Sequence, residues 1–351
     1  MDNEKAFRDA FKAHGLPLQT DHLHVNQSTG LNEQLKFYKH AAPDVYTGFL
    51  SNQRFNAVAT KYQDKALIGI YIGTINFISQ YAYCLLSDPN VLPKIGNPNE
   101  ESIEPRFIEE LRDSFQDVKL GNPFRDMSHL RYLPRNPIRL RAAQNLAWCA
   151  YLILFYHELA HIHLCHLEFI RDELGAEEHQ EITALPLSES EAILLRTLEW
   201  DADNSAFATS LKMWRLLYEA VDYSALDSLG PEVSWYVASQ LLFFVMDFVQ
   251  PINRRGLLST HQSPETRKIN AQIVFKQLGF DPELSSFRDI ADANLVPWIV
   301  QNGFPSSILE DAENDVSFVE STKKELSEAF NHYRLIMGRL YVYQEHRLKS
   351  I

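Results

Sequence analysis

Apolar residues along this chain recur mostly at three- and four-residue intervals, the period of a helix buried on one side. Residues 1–14 and 31–42 fit that period and are bounded by Gly15, Pro17 and Pro43, which interrupt it. One segment departs from it. Between Arg54 and Gly73, Val58, Ala66, Ile68, Ile70 and Ile72 give alternating, β-branched character around the turn-prone pair Gln63-Asp64, which predicts a β-hairpin. From Ser87 to Pro137 the chain turns rich in Pro and Asn, with one helix expected near Pro105 to Val118. A stretch of that kind between regular elements reads as an insertion or lid.

Pro137 precedes a long helix, expected over Ile138 to Glu168, whose apolar residues run nearly all round and so place it in the interior. Ser188 and Glu191 have the spacing of a capping box and start a second helix that runs to about Ala220. The longest remaining helical stretch is Ser321 to Leu348. Leu146 to Tyr156 and Val233 to Val249 are strongly apolar, but both fall short of the ~20 residues that cross a bilayer. They read as buried helices, without stable membrane insertion. The fold expected is mainly α with a small β-sheet (α+β): an N-terminal helical region 1–53, a core 54–270 with an insertion at about 87–137, and a C-terminal helical region 271–351.

Charge and cysteine usage narrow the setting. A net charge of −13 argues against a nucleic-acid partner. Arg125, Arg131, Arg135, Arg139 and Arg141 form a local basic cluster, read as a solvated face balancing the acidic remainder. Cys84, Cys149 and Cys165 make no even framework and no CxxC spacing, which suits a reducing, cytoplasmic compartment. The first residues form a charged amphipathic pattern with no apolar signal core, so export by that route is not expected.

The chemistry lies at His157-Glu158-Leu159-Ala160-His161, an HExxH sequence within the long helix. Residues i and i+4 of a helix sit about 40° apart around its axis, so both imidazoles can grip one metal ion from the same face. Zinc lowers the pKa of a coordinated water to about 7, and a carboxylate beside the pair, Glu158, can take up its proton. The next helix carries Glu199 and Asp203, again at i and i+4, among Leu194, Leu198, Ala202, Ala206 and Phe207. Glu199 can serve as third ligand, and Asp203 can accept the free ring N–H of a ligand histidine. Asp201 should face away by about 200°, and His163 and His166 should fall about 200° and 140° from His161, off the metal face.

These motifs resemble the gluzincin metallopeptidases of the CAAX prenyl protease and heat-shock membrane protease type. In the family's order the chain shows Asn56-Ala57-Val58-Ala59, the apolar strand Ile68 to Gly73, HExxH, Glu199 to Ala206 as E-x-x-A-D-x-x-A, and Ser259-Thr260-His261 ahead of Arg267 and Ile269. Gln262 stands where the family has proline. The resemblance covers about residues 54–270 and implies a zincin-like peptidase core with helical additions, holding one zinc ion per chain. It also implies that Asn56 and Ala57 begin an edge strand that pairs with extended substrate, that His261 donates to the developing oxyanion, and that Arg267 contacts substrate or pairs with the acidic site.

The function expected is therefore zinc-dependent hydrolysis of peptide bonds in a protein or peptide substrate. Two alternatives stand beside it: a catalytically silent, zinc-containing helical interaction protein, and a protease directed at one protein target, as phage-exclusion proteases with HExxH are.

Overall fold

Strand alternation near the N-terminus builds a small sheet with two dissimilar faces. The structure, a computed structural model, describes residues 2–17, 25–102, 105–120, 122, 133–175, 188–220, 224–249, 264–279, 295, 298–299, 301–302 and 315–350. Helices α1 (Asn3–Ala10) and α2 (Val25–Ala41) precede strands β1 (Val45–Leu50), β2 (Ala57–Tyr62) and β3 (Lys65–Tyr71). The expected hairpin is β2 and β3, paired antiparallel from Ala57 opposite Ile70 to Tyr62 opposite Lys65. Gln63 and Asp64 turn it with φ of 49° and 65°, the left-handed geometry a two-residue hairpin turn needs.

The sequence reading missed β1, which runs parallel to β3 and makes that strand central in the order β1-β3-β2. The region 1–53 is thus not purely helical. Ile72 and Gly73, assigned to the hairpin, instead begin helix α3 (Ile72–Ser87), which leaves β3 without a loop. One face of the sheet, with Leu50, Val58, Leu67 and Tyr71, packs on Phe7 and Phe11. Gly48 and Gly69 make room for those rings: a Cβ on Gly48 would lie 2.7 Å from Phe7 Cζ, and one on Gly69 3.1 Å from Phe11 Cζ. The other face, with Ala57, Ala59, Ile68 and Ile70, turns to the main core.

That core is helical, as expected for a mainly α protein. Helices α4 (Pro105–Lys119), α5 (Pro137–His163), α6 (His166–Leu174), α7 (Glu189–Ala220), α8 (Gly230–Val249), α9 (Pro264–Gln277) and α10 (Asp315–Ser350) complete the described α-helices. Helix α5 is central, with α3, α7 and α8 packed on it and the sheet alongside. Its start is fixed by Pro137 in the first turn and by the Asn136 side chain, which accepts from the amides of Ile138 and Arg139. Helix α8 is long and apolar enough to cross a membrane, yet 94% of its most apolar window is buried within the protein. Helix α10 packs on α6, α7 and α9.

The described parts of the 87–137 segment are knitted into the body. Phe107, Leu111 and Phe115 of α4 are buried in the main core. Arg139, fully buried, donates to the carbonyls of Leu86, Asp88, Val91, Leu92 and Ile95 at 2.8–3.1 Å. The Glu101 carboxylate accepts from the amides of Arg135 and Asn136. Arg139 therefore staples the chain after α3 to the start of α5 and takes no part in a solvated basic face. Arg125 and Arg131 lie outside the described residues.

Candidate metal centre

Two crossing helices, α5 and α7, bring the site together. The α5 periodicity puts His157 and His161 on one face with their Nε2 atoms 3.2 Å apart. Glu199 of α7 straddles the pair, its Oε2 3.3 Å from His157 Nε2 and its Oε1 3.2 Å from His161 Nε2. Four tetrahedral ligands at about 2.0–2.1 Å from zinc stand about 3.3–3.4 Å from one another. The observed triangle has that size, and the His/His/Glu set supplies the nitrogen and oxygen donors zinc prefers. His157, His161 and Glu199 are a buried group that can hold a metal ion.

The surroundings orient the His157 ring. His157 Nδ1 lies 2.8 Å from Asp203 Oδ1, and a carboxylate only accepts, so Nδ1 carries a proton and Nε2 is the atom left to offer a lone pair to a metal. Asp203 is held in turn by Arg267 of α9, whose Nε and second terminal nitrogen donate to its two oxygens at 2.9 and 2.7 Å. Arg267 is buried, 6% exposed. Of the two roles expected for Arg267, the structure shows the ion pair with the acidic site, through Asp203. A carboxylate braced this way fixes the orientation of the imidazole and raises its basicity.

Burial and charge set the protonation of the metal-free site. Burial disfavours the charged imidazolium of His157, but Glu199 and Asp203 outweigh it and hold the His157 pKa well above its ordinary value. For Asp203, burial pushes upward, while the Arg267 charge and the hydrogen bond with His157 prevail and hold its carboxyl below the usual range. A proton on His157 then occupies the place a cation would take. Its folded-state pKa exceeds the unfolded one, so its stabilising effect is complete below the unfolded value near 6.5 and is lost as pH rises through the folded value. Chelator-treated protein is expected to melt at lower temperature as pH rises above neutral, and zinc uptake near neutrality to release protons. Calorimetry in buffers of different ionisation enthalpy measures that release; none would show that His157 is already neutral.

Glu158 follows His157 on α5 and is 2% exposed. His163, as expected, points away, with its Nε2 3.8 Å from Asp44 Oδ2 at the surface. Asn56 and Ala57 sit at the start of β2, the outer strand beside α5, but are 5% and 0% exposed. The Asn56 amide donates to Thr74 Oγ1, and its carbonyl accepts from the Thr74 hydroxyl and the Tyr71 amide, so its backbone is engaged within the fold. His261 lies outside the described residues.

No protein-family model, curated protein or solved structure matches the chain. The metal centre rests on its own geometry.

Two residues set aside by the sequence reading belong to the surroundings of the site. Helix α5 does not run on to Glu168: it ends at His163, Cys165 adopts a left-handed conformation with φ 61°, and α6 starts afresh at His166. The break turns His166 back, so that its Nδ1 lies 3.2 Å from His161 Nδ1 and its Nε2 3.2 Å from Asp201 Oδ2. Asp201 does face away from the metal position, as expected, but into a contact with His166. The available signal was a further histidine close behind HExxH together with a third carboxylate beside Glu199.

Proposed function

We propose that this chain is a zinc metallopeptidase with a zincin-like core, related in its motifs to the gluzincins. The observation that carries the reading is the triangle of His157 Nε2, His161 Nε2 and the Glu199 carboxylate, with separations of 3.2–3.3 Å and Glu158 next to it on the same helix. A bound zinc ion would supply Lewis acidity and lower the pKa of water at its fourth position. Glu158, which is not needed as a ligand, would serve beside a bound metal as general base and then general acid, holding a proton on its carboxylate and giving it up to the leaving amine. Asp203 holds the Nδ1 proton of His157 throughout. His261 is assigned to the oxyanion through the resemblance.

A peptide substrate suits the placement of β2, because an extended chain can add to an outer strand through its main-chain hydrogen bonds. The covered part of that strand reaches Thr60, 2% exposed, and His157, Glu158, His161 and Glu199 are 1–2% exposed. Turnover therefore requires the described conformation to open. The three cysteines are buried thiols without a disulfide, in keeping with a cytoplasmic setting.

The same burial favours a second reading, a zinc-containing protein that does not turn over. Mapping of newly formed protein termini in cells carrying the wild-type chain or Glu158→Gln separates the two. Termini present only with wild type support the peptidase; identical termini in both support the silent protein.

A further inference from the structure

We infer that His166 and Asp201 are positioning residues for His161, joined to it in a hydrogen-bonded relay; the inference rests on the metal-centre reading above. The two imidazole ligands have unlike supports. His157 meets its carboxylate, Asp203, directly. His161 has the intervening ring of His166 between it and Asp201.

The direction of each proton follows for the state that binds a metal. Asp201 accepts only, so the His166 Nε2–H donates to it and leaves His166 Nδ1 to face His161. In the metal-binding tautomer His161 donates its Nδ1–H to that nitrogen. Its Nε2 lone pair is thereby turned toward His157 and Glu199, the tautomer a metal needs. Without His166 nothing in the relay would hold that proton on Nδ1, and Nε2–H could point into the site.

The arrangement is built at a cost, which argues against an accidental contact. A left-handed conformation is disfavoured for a residue other than glycine, and Cys165 adopts it with φ 61°. Had α5 continued, His166 would lie about 140° from His161 and out of reach. Supports converge on the break from other elements. The Gln344 side-chain amide of α10 donates to the Leu164 carbonyl at 3.3 Å, and Lys61 of β2 pairs with Glu168 of α6. Burial, and then the charge of the neighbouring Asp201, push the Tyr333 phenol of α10 up to about 12. His166 itself is fully buried.

Titration of the metal-free full chain with cobalt(II) tests the relay, since the visible bands report the ligand field and the titration gives affinity. Asp201→Asn keeps an acceptor but loses the charge, and His166→Phe keeps the volume but loses both bonds. Each is expected to weaken cobalt(II) binding by about 10- to 100-fold and to shift the bands. The double variant should bind like His166→Phe alone, because both act through one path. His163→Gln, on the exposed side, should bind like wild type. Melting of the metal-free proteins separates loss of fold from loss of positioning, and either single variant suffices if the other does not fold. Wild-type affinity and bands in the folded variants, or additive losses in the double variant, would overturn the relay alone. A wild-type chain that takes up no cobalt(II) would overturn the metal centre, and the relay with it.

Discussion

Glu158→Gln is expected to fold, to keep its zinc and to lose turnover by about 10²–10⁴-fold. The substitution preserves shape and removes a proton acceptor at a residue that is not among the metal-holding group of His157, His161 and Glu199. Metal content and unfolding by denaturant should therefore match wild type. Cleavage at the wild-type rate by the variant would move the chain to the silent reading, with any activity owed to a contaminant.

The other large effect is expected at Glu199. Its carboxylate stands 3.2–3.3 Å from both ligand nitrogens and is the one anionic member of the triangle. Glu199→Ala removes a ligand and leaves two imidazoles facing each other across 3.2 Å. Zinc held after dialysis should fall below about a tenth of an equivalent, against one for wild type. Asp203→Asn, which keeps the volume beside Arg267, should only weaken binding, by about 10- to 100-fold. If Glu199→Ala retains zinc while Asp201→Asn or Asp203→Asn empties the site, the ligand assignment is wrong.

Where local periodicity decides the structure, the sequence was legible. His157 and His161, and likewise Glu199 and Asp203, needed only the helical repeat, and the hairpin needed only alternation around Gln63 and Asp64. The mainly α fold followed from the same periods. Strand β1 did not, because its partner β3 is parallel and distant in sequence, so nothing near Val45–Leu50 announces the pairing. The end of α5 was hidden for another reason. Leu164 and Cys165 are neither glycine nor proline, and the break is held by tertiary contacts: His166 between His161 and Asp201, and Gln344 on the Leu164 carbonyl. Arg267 was legible as a residue of interest, yet its role required knowing that α9 lays it on Asp203. Arg139 was misread because charge was taken as exposure, whereas five backbone carbonyls satisfy its guanidinium in the interior.

X-ray absorption at the zinc edge on the reconstituted full chain, with metal analysis of the same sample, tests the metal centre most directly. The account predicts one zinc per chain in a shell of two imidazole nitrogens at about 2.0–2.1 Å and oxygen ligands at about 2.0–2.2 Å. It also predicts that Glu199→Ala abolishes the signal. A chain that stays free of zinc, or a shell containing sulfur, would contradict it.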